Sequence, residues 1–202
     1  DAGLKICATH EDSEQILAEP EKAADHVEAL GCTLTAYAWP AGIDFSLPEH
    51  IERLAAQLEK AGEVFHRRGL VLGYHNHAIE MHRLGDRTVL DYLLSETDPQ
   101  FLELEIDTHW IQAGGGDPVE WIGRAKGRAS LLHLKDFGVD AKGNRIFEEI
   151  GSGNLPWAGI MSAARRAGCK WYIVEQDQDW EAGDPFLSLK MSFRYLEKSF
   201  AE

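Results

Sequence analysis

The stretch Leu70-Val71-Leu72-Gly73-Tyr74-His75-Asn76-His77-Ala78-Ile79-Glu80 joins an apolar head to a tail carrying two histidines, an asparagine and a glutamate. The head has the length and composition of a buried strand. Polar, metal-competent side chains just past a hydrophobic run are what a barrel or a doubly wound sheet presents at the carboxyl edge of its strands. Such a site needs matching groups from other strands at the same edge.

Upstream, Gly3 to Thr9 (GLKICAT) reads as a short strand ending at His10, Glu21 to Leu30 has helical spacing before Gly31, and Thr33 to Trp39 is the next strand, closed by Pro40. From Pro48 to Arg68, residues Ile51, Leu54, Ala55, Leu58, Ala61, Val64 and Phe65 recur at three and four positions, which predicts a long amphipathic helix stopped by Gly69. Downstream, the pattern predicts a helix from Asp86 to Leu94, a fourth strand from Phe101 to Thr108, and a helix capped by Asp117-Pro118 and running through Ala125. A fifth strand follows from Ala129 to Asp136, then a long polar loop from Phe137 to Gly153. A helix capped by Asn154 runs from Pro156 to Ala167, a sixth strand from Lys170 to Asp177, and Asp184-Pro185 opens the last helix. Strand and helix alternate, and the later strands are apolar until their ends, which predicts a parallel sheet covered by helices in one α/β domain over residues 1–202. Six βα units fall two short of an eight-stranded barrel.

With 20 Lys plus Arg against 34 Asp plus Glu, the formal charge of -14 disfavours nucleic acid and anionic membrane surfaces as partners. Cys7, Cys32 and Cys169 are odd in number and scattered in apolar surroundings, which suits reduced structural thiols. No apolar run approaches the roughly 20 residues that span a bilayer, so a cytoplasmic, membrane-free protein is expected. A start at Asp1 rather than Met is compatible with a removed export signal.

Four predicted strands end in candidate ligands: His75, His77 and Glu80 on the third, Asp107 and His109 on the fourth, His133 and Lys135 on the fifth, Glu175 and Asp177 on the sixth. Residues two apart on a strand share a face, so each pair points one way. Carboxylates with histidine make a mixed oxygen and nitrogen sphere suited to Mn, Mg, Co or Zn. Each piece has a blander reading. A single histidine at a strand end is ordinarily a hydrogen-bonded edge residue, Glu103 and Glu105 are acidic without needing to be ligands, and Lys135 beside Asp136 is compatible with a solvated ion pair. Gly114 to Gly116 and Gly151 to Gly153 read as turns before they read as phosphate cradles. Coincidence across four consecutive strands favours the site.

The strings YHNHAIE, IDTHW, LLHLKD, EIGSGNLPW and YIVEQD, in this order, resemble the sugar phosphate isomerase/epimerase family of xylose isomerase-like barrels. The resemblance implies a (β/α)8 TIM barrel lacking its first two βα units, and a divalent-metal site made of a third-strand carboxylate, Asp107, His133 and Glu175. The step of 26 residues from Asp107 to His133 agrees with the family's spacing. Many relatives carry a glutamate inside the third strand where this chain has Tyr74 or His75, so the first ligand is Glu80, His75 or His77. Glu80 is preferred, because a further oxygen suits Mn or Mg. His109 departs from the aromatic residue many relatives place there.

The activity so implied is metal-dependent isomerisation or epimerisation of a sugar, keto-sugar or sugar phosphate through an enediolate. Glu175 and Glu80 are the proton-transferring pair, Lys135 steadies the oxyanion, and His75, His77, His109 and Trp110 contact substrate, with Trp39 and Trp157 as further stacking faces. The alternatives are a lyase or dehydratase acting on a keto-sugar or keto-inositol, and a degenerate barrel that binds sugar without turnover. An abasic-site endonuclease is disfavoured by the acidic charge. The resemblance and an open barrel seam both point to a homodimer.

Overall fold

The structure, a computed structural model, describes residues 3–40 and 42–200. The first strand, β1 (Thr9–Glu11), is followed by helices α1 (Ser13–Ala18) and α2 (Pro20–Ala29), strand β2 (Leu34–Tyr37), helix α3 (Pro48–Arg67) and strand β3 (Val71–His75). A short hairpin of β4 (Arg83–Leu84) and β5 (Arg87–Thr88) precedes α4 (Val89–Glu96), then come β6 (Glu103–Asp107), α5 (Thr108–Ala113), α6 (Pro118–Arg124) and β7 (Leu131–Leu134). A second hairpin, β8 (Asp136–Val139) with β9 (Arg145–Glu148), leads to α7 (Trp157–Ala167), β10 (Trp171–Val174) and α8 (Pro185–Phe200).

Six strands form one parallel sheet in the order β1-β2-β3-β6-β7-β10. Its two faces differ sharply. Tyr37, Tyr74, Leu72, Leu104, Ile106, Leu132 and Leu134 are buried in one apolar core with Ile51, Leu54, Leu58 and Phe65 of α3. On the other face, register sets His10 beside Ala36, Ala36 beside Gly73, His75 beside Glu105 and Asp107 beside His133. Laterally paired residues share a face, so the concave face of the sheet is polar.

The sheet is curled as a barrel wall. Three strand steps separate β1 from β6, about 14 Å if the sheet were flat, yet His10 Nε2 lies 2.5 Å from Glu105 Oε1. Ala36 and Gly73, in the same row as His10, leave the space this contact needs. The helices are locked to the sheet by close packing. A Cβ on Gly62 of α3 would run into the Phe101 carbonyl oxygen, so glycine lets this helix approach the segment before β6.

Several expected boundaries move. The first strand covers Thr9–Glu11 rather than GLKICAT, because a strand needs a paired neighbour and β2 begins only at Leu34. Leu4 is exposed. The helix expected from Asp86 starts at Val89, where the Thr88 hydroxyl accepts from Asp91 N, and Gly85 with φ 65° turns the preceding hairpin. The polar loop after the fifth strand contains the β8–β9 hairpin. Asn154 does not cap α7, whose N-cap is Pro156. The glycine stops hold: Gly31, Gly69 and Gly168 all have positive φ, at 72°, 73° and 88°. Among the described residues, no helix is long and apolar enough to cross a membrane. The three cysteines are unpaired. Cys32 is buried and Cys7 half-buried, and burial raises the Cys169 thiol to about 11.

Candidate metal centre and active site

The concave face gathers its polar groups by strand register. His75 is the last residue of β3, Asp107 the last of β6, His133 lies inside β7, and Glu175 directly follows β10. One ligand-competent atom from each of these four lies within 4.8 Å of all the others. Asp107 is fixed from both sides: its backbone N–H donates to Asn76 Oδ1 at 3.0 Å, and its Oδ1 caps α5 by accepting from Trp110 N at 3.0 Å. Its second oxygen, Oδ2, is buried without a hydrogen-bond partner.

Lys135, the residue after β7, is 2% exposed and sits among three carboxylates. Its Nζ lies 2.9 Å from Glu175, 2.9 Å from Asp177 and 3.4 Å from Asp107. Burial alone would lower its pKa, but Asp107 and Glu175 outweigh that and keep the ammonium charged. Burial would raise the Glu175 carboxyl, but His133 and Lys135 hold it well below the usual range. His133 is buried too, yet hydrogen bonds to Glu105 and Glu175 push it up to about 10. Asp107 is raised by its complete burial, only partly offset by Lys135.

A second group shares two of these residues. His10, His75 and His133 all turn a ring nitrogen toward Glu105 Oε1, at 2.5, 3.1 and 2.9 Å. His133 faces both ways, with Nε2 toward Glu105 and Nδ1 2.8 Å from Glu175 Oε2. Glu105 is 1% exposed; burial would raise its pKa, but contacts with His10, His133 and His75 hold it well below the usual range. Neither His10 nor Glu105 stood out as a ligand in the sequence. A signal existed for Glu105, which lies two residues before Asp107 and therefore on the same face of β6. His10 carried a weaker one, as the polar residue that ends the short Gly3-to-Thr9 run, but its partner is three strands away.

The expected residues divide clearly. Asp107, His133 and Glu175 meet as the resemblance implied, and His75 joins them as a fourth candidate ligand. Glu80 lies in neither group. It is fully buried in the turn after β3, where Oε1 accepts from the Tyr74 hydroxyl at 2.9 Å and Oε2 from the His77 backbone N–H at 2.7 Å. Glu80 therefore braces the turn that aims His77. His109 is not on the strand with Asp107 but on the first turn of α5, fully buried, stacked on Phe147 and bonded through Nδ1 to the Asp136 carbonyl at 2.7 Å. Trp157 is likewise buried, donating from Nε1 to Asp136.

His77 and Trp110 do face open space. With Trp39, Ile43 and Phe45 they wall a cavity of about 600 Å³, and the His77 ring is 4.9 Å from that of His75, so the cavity adjoins the ligand group. Burial, and then repulsion from His75, pull His77 down to about 4, leaving it neutral at physiological pH. Lys135 Nζ and the Arg145 guanidinium lie 5.4 and 4.6 Å from the Trp110 ring centre. The mouth thus combines a sugar-sized aromatic wall, a fixed cation and a mixed nitrogen and oxygen ligand set.

Comparison with known proteins agrees with this architecture. The chain is 29% identical over 164 residues to an inosose dehydratase from Lacticaseibacillus casei, covering 72% of this chain and 53% of that protein. It is 28% identical over 162 residues to an inosose dehydratase from Geobacillus kaustophilus strain HTA426, covering 73% and 52%. The chain spans about half the length of these curated relatives. The crystal structure of a sugar phosphate isomerase/epimerase from Parabacteroides distasonis ATCC 8503 superposes with a TM-score of 0.83 at 26% identity, covering 99% of this chain and 73% of that one. The family model described as xylose isomerase-like TIM barrel matches residues 4–198, and with the parallel, curled sheet this establishes that the chain belongs to the xylose isomerase-like TIM barrel family.

Proposed function

We propose that the concave face is the active site of an acid–base enzyme that removes a proton next to the carbonyl of a polyhydroxylated ketone, with a divalent cation as cofactor. The observation that carries this reading is the meeting of His75, Asp107, His133 and Glu175 within 4.8 Å of one another beside Lys135. These residues fit a cation: two carboxylates and two imidazoles form a mixed donor set, and the buried Asp107 Oδ2 accepts no hydrogen bond, with only the Lys135 ammonium near it at 3.4 Å. A divalent ion held there supplies Lewis acidity to the substrate carbonyl.

The remaining chemistry falls to the chain. Trp39, Trp110 and His77 orient the sugar ring in the adjoining cavity. Glu175 takes the proton from carbon, and Lys135, 2.9 Å away, carries the positive charge that stabilises the oxygen becoming negative. For loss of water, Lys135 gives a proton to the departing hydroxyl as the C–O bond breaks, and the proton on Glu175 then restores Lys135. This dehydratase outcome comes first, because one carboxylate–ammonium pair on one side of the substrate suffices for it and the curated relatives are named inosose dehydratases. Isomerisation is the second reading, favoured by the likeness to the Parabacteroides protein; the same pair would return the proton to the neighbouring carbon. Epimerisation through Glu175 and Glu80 is not favoured, since Glu80 is engaged by Tyr74 and His77.

The test is to incubate the protein with Mn²⁺, Mg²⁺, Co²⁺ or Zn²⁺ and a panel of inososes, ketohexoses and their phosphates in deuterated water. Proton NMR and mass spectrometry then follow the mixture. The expected result is deuterium at the carbon next to the carbonyl together with loss of one water, both abolished in Glu175→Gln. No exchange into any substrate with any of the four ions overturns the reading.

A further inference from the structure

The structure assigns a second cation position, deeper on the concave face, to His10, His75, His133 and Glu105, suited to a four-coordinate ion such as Zn²⁺ and exclusive of the outer position. Three imidazole nitrogens approach one carboxylate oxygen at 2.5, 2.9 and 3.1 Å. A buried Glu105 held only by hydrogen bonds is the simpler reading, and it falls short. A carboxylate oxygen offers two lone pairs, so it accepts well from two donors and not from three. The surplus is visible: His10 and His133 are the two shorter contacts, whereas the buried His75 Nδ1, 3.1 Å from the same oxygen, makes no hydrogen bond. Three nitrogens converging on one point, with the orphaned one among them, form a cage for an ion at about 2.0–2.1 Å from each. Glu105 would rotate to give the fourth bond.

The curvature of the sheet builds this cage. His10 belongs to β1, and it reaches β6 only because Ala36 and Gly73 leave the face between them open. The deep position offers three nitrogens and one oxygen, the outer one two nitrogens and two oxygens. Zn²⁺ prefers the first and Mn²⁺ or Mg²⁺ the second by ligand softness and coordination number. His75 and His133 are common to both groups, so an ion in the deep position withdraws two of the four outer ligands. Zinc is then expected to displace manganese.

The experiment uses metals alone. Protein loaded with Mn²⁺ is titrated with Zn²⁺ while the electron paramagnetic resonance signal of free Mn²⁺ is followed, and Co²⁺ is added to a separate sample for its visible absorption. Wild-type protein is expected to release its Mn²⁺ by one equivalent of Zn²⁺ and to give the intense Co²⁺ bands of a four-coordinate ion. X-ray absorption of the zinc protein should count three imidazoles. His10→Asn, at an edge-strand side chain that is 36% exposed, should weaken Zn²⁺ by about tenfold or more and change Mn²⁺ affinity less than twofold. Circular dichroism checks that the variant is folded, and the wild-type spectra stand without it. Zn²⁺ affinity unchanged in His10→Asn, or a six-coordinate Co²⁺ spectrum in wild type, overturns the assignment. The inference is separable from catalysis: His10-dependent Zn²⁺ binding without any Mn²⁺ binding would leave it intact and remove the metal from the proposed function.

Discussion

Asp136→Asn is the substitution whose cost can be worked most directly from the structure. Asp136 is fully buried, and among the described residues no cation lies within salt-bridge distance of it. Its charge rests on N–H dipoles. Oδ1 accepts from Phe137 N at 2.8 Å and Leu155 N at 3.3 Å; Oδ2 accepts from Gly151 N at 2.8 Å, Gly153 N at 3.2 Å and Trp157 Nε1 at 2.7 Å. An asparagine must turn its NH₂ toward one of these sets. The cheaper choice faces Phe137 and Leu155, leaving two buried donors without an acceptor and making the other three bonds neutral. At about 1.5–3 kcal/mol for each hydrogen bond lost from a charged acceptor, the expected cost is about 3–5 kcal/mol, allowing for relaxation around the long Leu155 bond. For a chain of 202 residues this lowers Tm by roughly 6–20 °C. Calorimetry measures it, and hydrogen exchange at Gly151 and Gly153 should quicken because their acceptor is weakened. The variant should also loosen the β8–β9 hairpin, which carries Phe147 beneath Trp110. A melting point within about 3 °C of wild type, with unchanged exchange at both glycines, would refute the hub role.

Two further outcomes follow from the site. Glu80→Gln should retain Mn²⁺ binding and lose about 1 kcal/mol at most, since the Tyr74 hydroxyl can rotate to accept from the new amide. Glu80→Ala should lose about 2–5 kcal/mol by orphaning Tyr74 and the His77 N–H, and Mn²⁺ lost already in Glu80→Gln would restore the carboxylate to the ligand set. In protein stripped of metal, stability should peak near pH 6–7. His77, pulled down to about 4, takes up protons on unfolding between its ordinary 6.5 and 4, so stability falls as pH drops through that window. His133, raised to about 10, holds its proton only when folded, so its contribution is complete below 6.5 and drains as pH rises toward 10. Denaturant melts from pH 4 to 10 check both arms, and a flat profile speaks against both shifts.

The alternation of apolar residues with Glu103, Glu105 and Asp107 on β6, the spacing of α3 and the glycine stops were legible because they are local: a strand's period of two and a helix's of 3.6 are set by neighbouring residues. The strand ends carrying Asp107 with His109, His133 with Lys135 and Glu175 with Asp177 were legible at one edge, and the resemblance to xylose isomerase-like barrels singled out Asp107, His133 and Glu175 among them. What escaped was every feature depending on a partner elsewhere. Thr108 reads as the end of a strand, yet Asp107 caps a helix there, and that carried His109 away from the mouth. Asp136 looked like an ion-pair neighbour of Lys135 and proved to be the acceptor for five N–H groups.

The stretch from Leu70 to Glu80 shows where the division falls. Its sequence determined a buried strand that ends in metal-competent side chains. Only the tertiary structure decided which of them meet the other strands: His75, in the ladder beside Glu105, joins the ligand groups, while Glu80, five residues further and past the strand's end, turns back to hold Tyr74 and His77. Pairing fixes a side chain that is still in the sheet. Beyond the last ladder position the backbone is free to turn, and the nearest buried donors then capture the carboxylate.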